Sequence, residues 1–289
     1  MKKILLIGSE GQLGSDISKV ASDDKRYSLT GINHPEIDVT KSDSLRTIIE
    51  QQKPDAIIST AAYHEVDLCE QEPEKAYAVN AFGVLNLARL TKRHDIKFIT
   101  FSTDYVFSDS SKKVPFSEDS KTQPESVYAA SKLAGETLAK IYNPEAIVIR
   151  TCGLYGETPP KGKSYNFPLI MRKLANENKQ IKVVDDQICT PTYTYPLAKL
   201  VIDLLDSNLK GVVHATSQGS CSWYDFAKEI FRICKMDAQL TPVSSEEYGQ
   251  KATRPRYSVL ENTKLQSAKM DNLPHWKDGL NDYLNLLEH

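Results

Sequence analysis

Five short apolar runs, KILLI (3–7), YSLTGI (27–32), AIIST (56–60), KFITFS (97–102) and AIVIR (146–150), alternate with helix-type segments at 12–21, 42–52, 74–93 and 125–142. That rhythm restricts the fold more than any single motif does. Parallel strands need a long crossover between them, and a helix is the usual one, so the pattern predicts an α/β, Rossmann-like doubly wound parallel sheet. Two of the helical segments have proline at a first-turn position, Pro73 and Pro124, where the missing N–H costs nothing. After residue 152 the rhythm loosens. IKVVD (181–185) and GVVHAT (211–216) are expected to return to the sheet, and helical stretches near 165–178, 222–234 and 274–287 are expected to build a smaller lobe. The expected division is 1–152 for the sheet unit and 153–289 for the lobe.

The first run ends in Gly8-Ser-Glu-Gly11-Gln-Leu-Gly14 and leads directly into a helix. Glycines there let backbone N–H groups approach a pyrophosphate at a helix N-terminus, although plain strand-to-helix turns also use three glycines in seven residues. The fourth run stops on Ser102, Thr103, Asp104 and Tyr105 in the stretch TFSTDYVF. A buried strand gains nothing from such a polar cluster, whereas strand ends in open α/β sheets face the ligand crevice. Tyr128 and Lys132 follow, four residues apart and so on one helix face. Tyr195 with Lys199 and Tyr224 with Lys228 repeat that spacing, and a solvated surface pair is the default for all three. Only the first follows a polar strand end closely.

The formal net charge is −2 and there is no long basic run, which argues against nucleic acid or a membrane surface as partner. Five scattered cysteines without a C-x-x-C pair give no metal site and fit a reducing cytoplasm. The N-terminal apolar run is too short for a signal peptide, and no segment is apolar for long enough to span a bilayer.

The sequence resembles the extended short-chain dehydrogenase/reductase superfamily, and within it the dTDP-4-dehydrorhamnose reductase family. The resemblance rests on ILLIGSEGQLG (4–14), IDVT (37–40), AAYHEVDLCE (61–70), VNAFG (79–83), FSTDYVF (101–107), YAASKLAGE (128–136) and RTCGLYG (150–156). It continues through NF (166–167), DQICTPT (186–192) and ATRPRYSVLENTKL (252–265). It implies an NADH- or NADPH-dependent reductase of a nucleotide-linked 4-keto-6-deoxy sugar. In that reading Tyr128 donates a proton to the ketone oxygen, Lys132 lowers the phenol's pKa from its ordinary ~10 and holds the nicotinamide ribose, and Thr103 hydrogen-bonds the ketone. The resemblance places Gly8, Gly11, Gln12, Leu13 and Gly14 at the pyrophosphate, Asp38 and Val39 near the adenine, and Ala61, Ala62 and Tyr63 along the nicotinamide half. Asp104 either touches substrate or caps a turn, Asn80 ties neighbouring backbone, and Asn166 and Arg254 are expected to bind the nucleotide sugar. A nucleotide sugar and, optionally, a second copy of the chain are the expected partners.

The sequence departs from the family pattern in three places. Gly153 stands where the family usually has tryptophan, which leaves room for a different sugar. His64 and Leu68 replace commoner residues. The second run ends in Asn33-His34 with no acid to select against a ribose 2′-phosphate, so both cofactors are expected to be accepted. A different class stays open beside the enzyme: a cofactor-binding regulatory subunit resembling the β subunit of methionine adenosyltransferase. A sugar-nucleotide epimerase would need a larger C-terminal lobe.

Overall fold

The structure is a computed structural model that describes residues 1–108, 113–160, 162, 165–177 and 180–288. Five strands carry the first half: β1 (Lys2–Ile7), β2 (Tyr27–Ile32), β3 (Ala56–Ser59), β4 (Lys97–Thr103) and β5 (Ile147–Thr151). With the strand Gly211–His214 they form a six-stranded sheet in the order Gly211–His214, β5, β4, β3, β1, β2, every neighbour parallel. The winding reverses between β1 and β3, and a crevice opens at the C-terminal ends of the strands there.

Both faces of the sheet's central strands are buried, which is why β1 and β3 read as near-continuous apolar runs, while the edge strand β2 (YSLTGI) carries exposed polar residues. In β1, Ile4 and Leu6 join Leu13, Ile17, Leu197 and Val201 on one side, while Leu5 and Ile7 join Leu45, Ile49, Leu87 and Phe98 on the other. The first layer brings in helix α1 (Gln12–Asp23) and the helix Thr194–Leu204. The second brings in α2 (Ser42–Gln52) and the helices Val84–Arg93 and Val127–Tyr142. The doubly wound sheet expected from the alternation is present.

The smaller lobe packs on different chemistry. Its core is aromatic, with Tyr155, Phe226, Trp276 and Tyr283 buried together among the helices Phe167–Asn176, Trp223–Ile233 and Trp276–Leu286. One expectation needs correcting. Gly211–His214 does return to the sheet, but Ile181–Val184 pairs in parallel with Leu240–Val243 in a separate two-stranded ribbon. The open edge of β5 has room for one strand, and 211–214 takes it. Residue 178 of the stretch expected to be helical near 165–178 lies outside the described residues. Among the described residues, no helix is long and apolar enough to cross a membrane.

Candidate active site

A cleft of about 900 Å³ runs along the C-terminal ends of the strands and is walled on its far side by the smaller lobe. At one end it is lined by Gly8, Gly11, Gln12 and Leu13, with Asp38, Val39, Ala61, Ala62 and Tyr63 beside them. Gly8 sits at φ +87, a left-handed conformation that favours glycine, and a Cβ there would lie 2.4 Å from Thr60 Oγ1. Gly14 behaves differently: it is buried, does not line the cleft, and a Cβ on it would come within 2.0 Å of the Gly8 carbonyl oxygen. It is a packing residue that lets α1 approach β1, not a contact for a ligand. The Gln12 side-chain oxygen is buried at this end without a hydrogen-bond partner, so the cradle holds an amide that a bound polar group would satisfy.

Asn33 also lines this end, but its amide is committed to the glycine loop. Nδ2 donates to Ser9 Oγ at 2.9 Å, and Oδ1 accepts the Glu10 N–H at 2.9 Å. Asp38 is held below the usual carboxylate range by the Thr40 hydroxyl and then the Thr40 N–H, at 2.7 and 2.9 Å. Asn80 has the backbone-tying role expected of it. It accepts from the Tyr63 N–H at 2.9 Å and donates to the Tyr63 carbonyl and to Ser131 Oγ, both at 3.0 Å. It does so from a π-helical turn, Ala78–Gly83, against which Gly135 packs so closely that a Cβ would sit 2.2 Å from the Asn80 carbonyl oxygen. The glycine of YAASKLAGE thus sets how near Tyr128 and Lys132 come to the end of β3.

Midway along the cleft, Thr103, Tyr128 and Lys132 converge. Thr103 is the last residue of β4, where its side chain caps the short 3₁₀ turn Asp104–Val106 by accepting the Tyr105 N–H at 3.2 Å. Tyr128 and Lys132 lie on Val127–Tyr142, which Ser126 caps by accepting the Ala129 N–H at 3.2 Å. Thr103 and the Tyr128 phenol line the cleft together, and Lys132 Nζ donates to the Phe101 carbonyl at 2.6 Å. Burial raises the phenol's pKa above its ordinary value, with the nearby Thr103 hydroxyl opposing it, and burial lowers the Lys132 ammonium to about 8. In the free protein, therefore, desolvation outweighs any help from the lysine. The cause is visible in the geometry: the ammonium is turned toward the strand. Glu136, one helical turn further on, pairs with Arg150 at 2.7 and 2.9 Å and accepts the Ser102 hydroxyl at 2.5 Å, pinning this helix to β4 and β5.

The other two tyrosine–lysine pairs are surface pairs. Lys199 lies 4.5 Å from the Tyr195 ring centre and Lys228 lies 5.3 Å from that of Tyr224, and none of the four residues lines the cleft.

On the substrate side Asp104 lines the cleft, and two expectations change. Asp104 is fully buried and its carboxylate is already occupied: Oδ1 accepts from Thr103 at 3.1 Å, and Oδ2 accepts from Ser258 at 2.5 Å and Cys152 at 3.0 Å. It lines the cleft and ties Cys152 and Ser258 to the end of β4. Burial raises its pKa against those three bonds. Asn166 is not in the cleft. It caps Phe167–Asn176 through the Leu169 N–H at 3.1 Å and donates to the Gly156 carbonyl and Tyr283 Oη at 2.7 and 3.0 Å. Arg254 is also outside, forked onto Asp67 at 3.1 and 2.9 Å, so the N–H pairs that would grip a phosphate hold a carboxylate across the lobe boundary. Its neighbour Pro255 lines the cleft instead, together with Cys152, Gly153, Leu154, Gln187, Trp223 and Ser258. All but Trp223 fall in the stretches RTCGLYG, DQICTPT and ATRPRYSVLENTKL that carry the family resemblance. Trp223 had a faint signal as one of only two tryptophans, just after the helix-capping Ser222.

The RmlD substrate binding domain model matches residues 1–289. The chain belongs to that family. It is 35% identical to the spore coat polysaccharide biosynthesis protein SpsK of Bacillus subtilis, over 98% of this chain and 97% of that one. A dTDP-4-dehydrorhamnose reductase of Clostridium acetobutylicum superposes with a TM-score of 0.93 at 37% identity, covering 99% of this chain and 100% of the other. A dTDP-4-dehydrorhamnose reductase of Bacillus anthracis, solved in complex with NADP, gives a TM-score of 0.93 at 33% identity and the same coverage.

Proposed function

We propose that this protein is an NAD(P)H-dependent reductase of a nucleotide-linked 4-keto-6-deoxy sugar, dTDP-4-dehydrorhamnose, yielding dTDP-L-rhamnose. The observation that carries the reading is the meeting of Thr103, Tyr128 and Lys132 in one cleft that the glycine turn opens and the smaller lobe closes. Full-length family membership and the reductase relatives support the same reading. In it, residues 1–152 with the returning strand hold the dinucleotide, and the rest of 153–289 forms the substrate lobe.

The residues present fit a dinucleotide. The bare backbone at Gly8 and Gly11, with Gln12 and Leu13, would hold its pyrophosphate at the N-terminus of α1, and Asp38, Val39 and Ala61 to Tyr63 would line its two halves. The cofactor supplies the hydride. The protein's own work is to bring a proton to the ketone oxygen and keep the sugar in place. A phenol whose pKa is raised by burial stays protonated at neutral pH, which is the form a donor requires. Thr103, beside that phenol, would turn its hydroxyl from Asp104 to the ketone oxygen and share it with Tyr128. Lys132, once charged and turned from Phe101 toward a ribose, stabilises the phenolate left after the proton has gone.

The test is to offer purified protein NADPH or NADH with dTDP-4-dehydrorhamnose and follow cofactor oxidation. Oxidation dependent on the sugar nucleotide is expected with both cofactors. Cofactor binding without oxidation, across a panel of nucleotide keto-sugars, would favour the regulatory subunit instead.

A further inference from the structure

Among the described residues, the smaller lobe lines the cleft with one large aromatic side chain, Trp223. It is the first residue of the helix Trp223–Ile233, and its position is fixed from several sides. Ser222 caps that helix through the Asp225 N–H at 3.0 Å and donates its own proton to Asp185 at 2.6 Å. Behind the indole stand Phe167 and Phe226, with ring centres at 4.8 and 6.1 Å. In front of it lies Gly153, whose added Cβ would be 3.2 Å from Trp223 Cη2 and 3.2 Å from the Pro191 Cα. Gly153 has φ +53, so a side chain there is disfavoured by the backbone as well as by the indole. The half-buried ring keeps part of its surface on the cleft.

Its place along the cleft identifies what it can touch. Thr103 on β4 and Thr151 on β5 are register partners, and Gly153 follows two residues after Thr151. Gly153, in a bend at φ +53, turns the chain from that strand end toward the lobe, and the indole beside it lines the same cleft as Thr103 and Thr151. The lobe also lines the cleft with the apolar Leu154, Pro160 and Pro255 and the polar Gln187 and Ser258. An aromatic face beside such a patch suits the C–H side of a sugar that has lost a hydroxyl.

We infer that Trp223 is a specificity-determining residue of this site, packing its indole against the C–H face and the 6-methyl group of the bound deoxyhexose. Gly153 is the seat that leaves space for the ring. The inference rests on the proposed sugar-nucleotide reading and adds to it the residue that recognises the sugar.

The experiment is a set of calorimetric titrations with dTDP-L-rhamnose, dTDP and NADPH separately, on wild type, Trp223→Ala, Trp223→Phe and Gly153→Ala. Trp223→Ala is expected to weaken dTDP-L-rhamnose about 10- to 100-fold while dTDP and NADPH bind as in wild type. Trp223→Phe keeps an aromatic face and loses less, and Gly153→Ala shifts the ring and weakens the sugar nucleotide alone. Because Trp276, the other tryptophan, is buried in the lobe core, wild-type fluorescence should respond to dTDP-L-rhamnose and Trp223→Phe should not. Unchanged dTDP-L-rhamnose affinity in Trp223→Ala, or an equal loss for dTDP, would overturn the inference and leave the reductase reading standing. Wild type that binds NADPH but neither dTDP compound would remove the reading, and the inference with it. NADPH affinity in each variant reports that the fold is intact, and Trp223→Phe tests the same contact where Trp223→Ala fails to fold.

Discussion

The two ends of the cleft are built in opposite ways. At the dinucleotide end, seven consecutive residues, Gly8 to Gly14, make the turn, and their demands are local: a left-handed φ, a bare approach, a close helix. At the lobe end, the wall comes from Gly153, Gln187, Trp223, Pro255 and Ser258, which lie far apart in the chain and meet only because three small ribbons and an aromatic core bring them together. One end is a motif and the other an assembly. The difference predicts that mutations at the first act through backbone geometry, and at the second through contacts that reach across the lobe boundary.

The sharpest test lies where the two ends meet. Tyr128→Phe is expected to lower turnover by about 10²–10⁴-fold while cofactor affinity holds, because only the transferable proton is removed. Tyr195→Phe and Tyr224→Phe, the same substitution in surface pairs, should leave turnover close to wild type. Steady-state kinetics of the three variants decide it, and full activity in Tyr128→Phe would show that the proton comes from elsewhere.

Gly14→Ala probes the motif end by forcing a Cβ to within 2.0 Å of the Gly8 carbonyl oxygen. Overpacking of this kind costs about 1–3 kcal/mol, sometimes more, and here the strain falls on the turn that cradles the pyrophosphate. A lower denaturation midpoint together with weaker NADPH binding is expected. Loss of sugar-nucleotide affinity with NADPH binding intact would contradict the assignment of the two ends.

Lys132 gives a pH signature. Burial lowers its pKa to about 8, so the amine is charged below that pH and neutral above it. If its charge stabilises the Tyr128 phenolate, kcat/KM falls as pH rises through about 8, approaching tenfold per unit. Lys132→Arg, always charged, should lack that alkaline limb even if its rate is lower. A profile flat to pH 10 in wild type would mean that the charge is not used.

The smallest effect is expected at the lobe boundary. Arg254→Lys exchanges a forked contact with Asp67 for a single point charge, and because Asp67 is 44% exposed the loss is limited to about 1 kcal/mol or less. Chemical denaturation should show it, with NADPH affinity unchanged. A large selective loss of dTDP binding would instead return Arg254 to the phosphate.

What was legible in the residues follows the range of the forces involved. Strand and helix periodicity, glycine turns and the Tyr128–Lys132 spacing are set by near neighbours, so the sheet, its winding and the place of that pair in the cleft could be read, although 181–184 left the sheet. Gly14 was legible as a glycine but not as a packing one, since the atom it avoids belongs to Gly8 across a turn. Asn166 and Arg254 misled for a related reason: an amide and a guanidinium advertise what they can bind, not which partner reaches them first. Asn166 found a helix N-terminus, and Arg254 found Asp67, 187 residues away. The linear chain by itself determined the parallel-sheet architecture and the glycine turn after β1, because local conformational preference and period encode them. The lobe contacts, the true partners of Asp104 and Arg254, and the placing of Trp223 over Gly153 were decided by the tertiary structure alone, where burial and competition among distant groups choose each hydrogen bond.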